Sequence, residues 1–286
     1  PGVPNAFEAC VFTFGIVQGG GAGKILAEWV TEGETEWDMW SIDPRRYTGF
    51  VDQDYAVKKA IEIYSHEYAM HFPHYEWPAA RDKRLSPLHD TLKQAGAQFT
   101  AAAGWERAAW YARHGDETGL EAHATNARQG PWFDAVRDEC LAVRDAAGLC
   151  DLPGFSRFEV SGEGAADWLG TLITGAVPNP SRIGLVYFAT GGGRILSEMT
   201  LTRLEEDRFQ LLAGAGAEWH DLEWLQRHLP PSGIEIENVT EDWGTLVLSG
   251  PKSRDILASL CANDLSSAAF PWMTHQPVEI TGVKGT

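Results

Sequence analysis

The amino-acid sequence predicts an α+β fold, and two observations support this prediction. Segments with apolar residues at helical spacing alternate with segments of period two, and the two kinds do not form a regular βαβ series. The chain has 286 residues, of which 44% are hydrophobic and 22% are charged, so it can bury a sizeable core and hold two or more domains. We find no internal repeat and no low-complexity tract.

Composition excludes several classes of protein. The chain carries 23 basic and 40 acidic residues, a formal net charge of -17, which argues against a nucleic-acid partner. No apolar run reaches the roughly 20 residues that span a bilayer, so no membrane partner is expected. Four scattered cysteines without CxxC spacing favour a reducing, cytoplasmic location. They are Cys10, Cys140, Cys150 and Cys261.

Residues 1–46 predict a strand, a glycine-rich loop and a helix. The strand is the apolar run from Ala9 to Val17, and the helix extends from about Ala22 to Thr31, with Gly33 as its stop signal. A turn-rich connection then ends near Arg46, where we place a domain boundary.

Two interpretations of the glycine-rich loop stay open. A Walker loop is excluded because Gln18 and Ile25 stand where glycine and serine or threonine are needed, and no GxGxxG register fits. The glycines either let a ligand approach the backbone at a helix N-terminus, where negative charge is favoured, or make a tight packing turn.

Residues 47–111 predict a small middle domain. A helix is expected from Asp54 to Met70, and a second one is expected to have Ser86 as its cap, Pro87 in its first turn and Gly96 as its terminator. The segment "GWERAAWY" reads as aromatic packing, with its own glutamate and arginine as an ion pair.

A histidine-rich segment in this middle domain does not predict a metal site. His66 and His71 are five residues apart rather than four, and Pro73 interrupts the helix before His74. We expect a cluster of solvated or core-lining histidines with Glu67 among them, and no bound metal.

Residues 112–286 predict a polar loop, a helix from about Pro131 to Ala147, and then strands and further helices. In "VYFATGGGRILSEMTLTRL" a glycine turn joins two strands. Period two places Glu198 on the more polar face of the second strand, opposite Ile195, Met199 and Leu201. The plain alternative is an ordinary exposed glutamate.

Several segments, in order, resemble the flavin-dependent dimethylglycine/sarcosine dehydrogenase family, which joins a flavin oxidase domain to a folate-binding, aminomethyltransferase-like domain. The segments are "FGIVQGGGAGKILAEWVTEG", "WDMWSIDPRRY", "GWERAAWY", "WFDAVRDECLAVRDAAGLCDLPGFSRFEVSG", "GGGRILSEMTLTRL" and "WGTLVLSGPKSRDIL". By this resemblance residues 1–46 end the FAD-dependent oxidoreductase domain. Residues 47–111 form the central domain, and residues 112–286 form a truncated aminomethyltransferase-like domain.

The resemblance implies a flavin site and a folate site. The glycine loop would lie against FAD, although Phe14 stands where the family has histidine. Glu198 would be the catalytic carboxylate near tetrahydrofolate, in a place where related transferases carry aspartate, and Tyr187 would be an aromatic wall of that pocket. The residues expected to bind FAD are Gly15, Ile16, Gly20, Gly21, Gly23 and Lys24.

The activity implied by the resemblance is oxidative N-demethylation of a small methylated amine. Dimethylglycine or sarcosine would give a hydride to FAD and a one-carbon unit to tetrahydrofolate, and oxygen or an electron-transfer partner would reoxidise the flavin. We expect the sequence to be a fragment of that enzyme, because it opens at Pro1 and ends as a strand enters a turn. Two alternatives stay open: a stand-alone folate-dependent methyl- or aminomethyltransferase, and a non-catalytic module with the same fold.

Overall fold

The computed structural model of the protein describes residues 3, 5–9, 14–47, 49–120 and 129–286. The chain divides into two compact units, Pro1–Arg46 and Tyr47–Thr286. Residues 10–13 of the expected first strand and residues 121–128 of the expected polar loop lie outside the described residues.

The first unit contains one long helix, α1, which spans Gly15–Glu32. Gly33 ends it in the left-handed conformation, and its N–H donates to the carbonyl of Trp29. Two short 3₁₀ turns follow at Trp40–Ile42 and Pro44–Arg46. The helix therefore begins at the first glycine. The prediction of a strand to Val17 followed by a glycine loop is wrong for the described residues.

No residue of α1 is buried. Ile16 and Val17, at its N-terminal end, are 100% and 85% exposed. Glycine adopts helical and loop conformations with similar ease, so the local sequence selects neither strongly. Because no apolar face of α1 is buried, packing within the described residues does not select the helix either.

The second unit opens with two helices and a hairpin. Their bounds are α2 at Gln53–Ser65, α3 at His89–Gln94, β1 at Ala97–Ala102 and β2 at Trp105–Tyr111. The Asp52 carboxylate accepts from the N–H of Tyr55 and caps α2, which ends five residues before the expected Met70. Ser86 Oγ accepts from the N–H of Leu88, and α3 begins after Pro87 rather than at it.

The rest of the second unit alternates helices and strands. The expected helix at Pro131–Ala147 is confirmed as α4, Phe133–Asp145. The strands that follow are β3 Gly148–Asp151, β4 Phe155–Ser161, β5 Ile173–Thr174, β6 Ile183–Ala189, β7 Ile195–Glu205, β8 Arg208–Gly214, β9 Glu235–Asn238, β10 Leu246–Ser249, β11 Val278–Ile280 and β12 Val283–Gly285. The remaining helices are α5 Ala165–Leu172, α6 Glu218–Arg227 and α7 Ser253–Ala258.

A six-stranded antiparallel sheet organises this unit, in the order β5-β6-β7-β8-β4-β9. The side chains on one face of the sheet pack with residues of α5 and α6 into a hydrophobic core. Phe158, Phe188, Phe209, Leu201 and Leu211 are fully buried there. Burying such large apolar side chains is the main favourable contribution to folding. The α+β prediction is confirmed.

The opposite face of the sheet, which we call the open face, carries the side chains that alternate with the core positions. Within the described part of the chain, no helix combines the length and apolar character that a membrane crossing requires.

Candidate functional site

The open face places Glu198 where the sequence predicts it. On β7, Met199 and Leu201 are only 2% and 0% exposed, whereas Glu198 is exposed. This alternation confirms the face assignment, because successive side chains of a strand point to opposite sides. Ile195 differs from the expectation: it is 69% exposed, and the β6–β7 pairing shifts register beside it, between Phe188 and Ala189.

A glycine turn fixes the pairing of β6 with β7. The N–H of Thr190 donates to the carbonyl of Arg194 at 2.9 Å, and the N–H of Gly193 donates to the carbonyl of Thr190 at 2.8 Å. Gly193 has φ of +77°, a conformation that costs glycine little. The turn thereby sets the register that brings a tyrosine opposite Glu198.

Tyr187 and Glu198 are direct cross-strand partners on the open face. Side chains in such positions have Cβ atoms about 5 Å apart, close enough to interact. Interaction of the Tyr187 hydroxyl with the Glu198 carboxylate raises the pKa of the phenol. The tyrosine therefore keeps its proton at neutral pH, and its hydroxyl can hold the Glu198 carboxylate in place by a hydrogen bond.

This donor set fits a reduced folate. A folate presents ring N–H groups that can donate hydrogen bonds to a carboxylate. It also presents a flat aromatic system that can lie against a tyrosine ring. Neighbouring open-face positions are apolar or hydroxylated: Leu185 is the partner of Thr200, and Thr200 is the partner of Leu212. Around Glu198 and Tyr187 the open face thus offers leucine and threonine side chains.

The residues predicted to bind FAD all lie on α1. Lys24 Nζ bonds the Glu28 carboxylate and, at 3.2 Å, that of Glu36, and these contacts raise its pKa. A Cβ added at Gly20 or Gly21 would meet open space, so no described neighbour requires glycine at these positions. No contact of residues 14–47 as described tests a flavin at this place, and the role of these residues stays a prediction.

A second polar cluster lies in the central part of the chain. Glu106 is buried and accepts from Arg81 Nε at 2.8 Å and from the N–H of Asp82 at 2.9 Å, so the expected pairing of Glu106 with Arg107 is wrong. A cavity of about 500 Å³ adjoins this pair, with Phe99 in its wall. Glu106 lines the cavity, but none of the residues predicted to bind FAD or folate does.

The histidine segment forms a cluster of aromatic rings. The rings of His71 and Tyr75 stack with centroids 3.9 Å apart, and Trp77 meets His71 edge-on at 5.1 Å. No group of three or more His, Cys, Asp or Glu side chains in the described ranges has an arrangement suited to a metal ion.

Sequence reasoning missed a set of buried contacts between residues that are far apart along the chain. Arg84 Nη1 lies 2.9 Å from the Glu218 carboxylate, and both residues are 5% exposed. Ser86 Oγ donates to the Asp151 carboxylate, also in the interior. The partners are 134 and 65 residues apart, so no local pattern could have indicated them. The contact of Arg157 with Thr245, 88 residues away, was missed for the same reason.

Comparison with known protein families identifies two domains. The GCVT N-terminal domain matches residues 88–286, and the FAD dependent oxidoreductase central domain matches residues 32–86. Both FAD and tetrahydrofolate are cofactors that fit this pair of domains. These matched ranges do not test the expected division into 1–46, 47–111 and 112–286, which stays a proposal.

Individual relatives point the same way. The chain is 31% identical to mitochondrial dimethylglycine dehydrogenase of Mus musculus over 288 residues, covering all of this chain and 33% of that protein. It is 30% identical to mitochondrial sarcosine dehydrogenase of Mus musculus, covering 99% of this chain and 35% of that one. The chain thus spans about a third of the length of these curated relatives.

A solved structure supports the fold. The glycine cleavage system aminomethyltransferase T from Bartonella henselae superimposes with a TM-score of 0.50 at 26% identity, over 62% of this chain and 43% of that protein. The family match to residues 88–286 includes the strands that carry Tyr187 and Glu198. The chain belongs to the GCVT family and joins that domain to the central domain of FAD-dependent oxidoreductases, as expected of the dimethylglycine/sarcosine dehydrogenase family.

Proposed function

We propose that this chain is the folate-binding part of an enzyme that demethylates dimethylglycine or sarcosine. FAD, when bound, would supply the hydride acceptor for the N-methyl carbon, and Tyr187 and Glu198 would hold the tetrahydrofolate that receives the one-carbon unit. The observation that carries the proposal is the Tyr187–Glu198 pair on the open face of the GCVT sheet. The match of the whole chain to dimethylglycine dehydrogenase supports the choice of substrate class.

Glu198 has the chemistry for an acid–base role. A carboxylate that is exposed on an otherwise structured face can take a proton from a ligand amine and pass it to water. Tyr187 is protonated at neutral pH, and its hydroxyl donates a hydrogen bond that orients the Glu198 carboxylate. The apolar positions around Leu185 and Leu212 would exclude water from one side of a bound ring.

The match to residues 32–86 favours this function over a stand-alone transferase, because it adds a domain described for FAD-dependent oxidoreductases. The electron acceptor, whether oxygen or a protein partner, and a cytoplasmic location also belong to the proposal. The two dehydrogenases compared above are mitochondrial proteins.

The test is a single-turnover assay on the flavin-loaded dehydrogenase that contains this chain. We expect Glu198→Ala to leave flavin reduction by the amine unchanged and to lower the yield of methylene-folate by about 10²-fold, the usual contribution of a general acid–base group. Formaldehyde should be released in its place. Both quantities are followed on the same sample.

Glu205→Ala provides the matched control, because Glu205 is an exposed glutamate near the other end of the same strand. It should change neither quantity. An equal methylene-folate yield in Glu198→Ala and the wild type would show that Glu198 is an ordinary surface residue. A loss of flavin reduction in Glu198→Ala would contradict the division of labour between the two domains.

A further inference from the structure

A second group on the open face has no role in the function proposed above. Arg157, on β4, is only 8% exposed. Its Nη2 donates to Thr245 Oγ1 at 3.0 Å, and its guanidinium lies 5.2 Å from the centre of the Trp243 ring. Among the described residues no carboxylate forms an ion pair with it. Burial lowers the pKa of this guanidinium, and the charge of Glu159, which forms no ion pair with it, opposes that shift.

The natural candidate for a counter-charge is engaged elsewhere. Glu159 lies two residues along β4 and on the same face as Arg157. Its carboxylate accepts from Arg208 of the neighbouring strand, at 2.8 Å and 3.2 Å. The same face thus carries Arg208, which is ion-paired with Glu159, and Arg157, which feels the charge of Glu159 without a direct ion pair.

The register of the sheet relates Arg157 to Glu198. Arg157 is the partner of Leu212 on β8, and Leu212 is the partner of Thr200 on β7. Glu198 is two residues along from Thr200. With strands about 4.8 Å apart and a rise of about 3.4 Å per residue, the Cα atoms of Arg157 and Glu198 are roughly 12 Å apart.

We propose that Arg157 binds the carboxylate of the glutamyl tail of tetrahydrofolate while Glu198 and Tyr187 hold the ring system. The inference rests on the proposed folate-binding function. A guanidinium binds a carboxylate through two parallel hydrogen bonds, which suits a charged tail reaching across the sheet from the ring site. Trp243 and Thr245 hold the guanidinium in position, so little side-chain entropy is lost on binding.

Calorimetric titration of the 286-residue chain tests this role with two ligands, 5-formyl-tetrahydrofolate and the corresponding pteroate, which lacks the glutamate. We expect the wild type to bind the folate about tenfold more tightly than the pteroate, the usual size of a charge-assisted contact. In Arg157→Gln that preference should disappear, while pteroate affinity stays unchanged. Arg157→Lys, which keeps the charge, should retain part of the preference.

Arg227→Gln is the control, since it removes an exposed positive charge that is paired with Glu223 on α6 and leaves Glu159 and Arg157 unchanged, and it should keep the full preference. If Arg157→Gln weakens folate and pteroate equally, Arg157 is a structural residue and the inference is wrong. Equal affinity of the wild type for both ligands also overturns it, while leaving folate binding intact. Binding of neither ligand by the wild type would instead contradict the proposed function, and the inference with it.

Discussion

At the scale of single residues, Glu106 shows how a buried charge is made tolerable. It is 3% exposed, and burial alone would oppose its ionisation. Hydrogen bonds from Arg81 and from the N–H of Asp82 outweigh that effect, so the pKa of Glu106 lies below its usual value. A carboxyl group whose pKa is lower in the folded state binds protons less readily than in the unfolded state.

This shift predicts a loss of stability in acid. The contribution of Glu106 is fully present above its unfolded pKa of about 4.3 and disappears as the pH falls through the lower folded value. In Glu106→Gln the free energy of unfolding should fall by about 1–3 kcal/mol at pH 7, since the charged hydrogen bonds are weakened. The free energy of unfolding of Glu106→Gln should also change less between about pH 5 and pH 3 than that of the wild type.

Urea unfolding of both proteins across that pH range measures the effect. Glu163→Gln, a substitution of an exposed glutamate, is the control and should follow the wild-type pH profile. Parallel pH profiles for Glu106→Gln and the wild type would show that Glu106 does not titrate differently in the folded state.

At the scale of elements, α1 is the sharpest departure from expectation and the easiest to test. Alanine is favoured over glycine inside a helix by about 1 kcal/mol per position. The triple substitution of Gly19, Gly20 and Gly21 by alanine should therefore stabilise α1 and slow amide hydrogen exchange across Gly15–Glu32.

A proline at the same place supplies the opposite perturbation. Gly21→Pro removes a backbone donor in the middle of the helix and should abolish the protection of its neighbours. If neither the alanine nor the proline variant alters exchange in this segment, the glycines form a loop as the sequence first suggested.

The elements that could be predicted share one property: their sequence pattern and their burial agree. Helix α4 and the alternation along β7 were predicted because apolar spacing alone specifies which side faces the core. The limits of α1 were not predicted, because a run of glycines has no pattern of apolar residues and because α1 has no buried face that would select its conformation. Helix α2 was predicted too long, since Tyr68 and Met70 are 85% and 98% exposed and no buried contact of theirs extends the helix beyond Ser65.

The candidate site was predictable in part for a related reason. Glu198 and Tyr187 belong to two strands joined by one short turn, so their pairing follows from local register. Arg157 and its contacts with Trp243 and Thr245 join segments more than 80 residues apart, which only the folded sheet brings together.

At the scale of the whole molecule, Arg84 and Glu218 join the two matched families. Arg84 lies in the range matched by the oxidoreductase central domain, and Glu218 lies in the range matched by the GCVT domain. The ring of Trp105 covers the guanidinium at 4.5 Å, and Asn238 donates to the other oxygen of Glu218 at 3.0 Å. Residues 47–286 should therefore unfold in one cooperative step.

Breaking this pair tests that cooperativity. Arg84→Met leaves Glu218 buried without its partner and should lower the free energy of unfolding by about 3–5 kcal/mol. The double variant Arg84→Met with Glu218→Leu should recover much of the loss. Unfolding of each variant is followed by tryptophan fluorescence and by far-ultraviolet circular dichroism. The unfolding midpoints from the two signals should coincide.

An exposed ion pair serves as the comparison. Arg144→Gln, which breaks the surface pair with Asp145, should cost less than about 1 kcal/mol. A second transition that appears in wild-type unfolding would show that the two matched domains fold separately. A loss in the double variant as large as in Arg84→Met would show that the ion pair itself is not the source of the stability.

The buried contacts of Arg84 and Ser86 have a consequence for exchanging modules between relatives. The border between the two family matches falls at residues 86–88, within three residues of side chains that reach across it to Glu218 and Asp151. A chimera spliced at that border would pair an arginine from one parent with a carboxylate from the other. If one parent lacks the matching residue, the remaining charge is buried without a partner. A graft that starts near Tyr47 would instead take both residues of each contact from the same parent. The start of the compact unit thus lies some forty residues before the border between the two family matches.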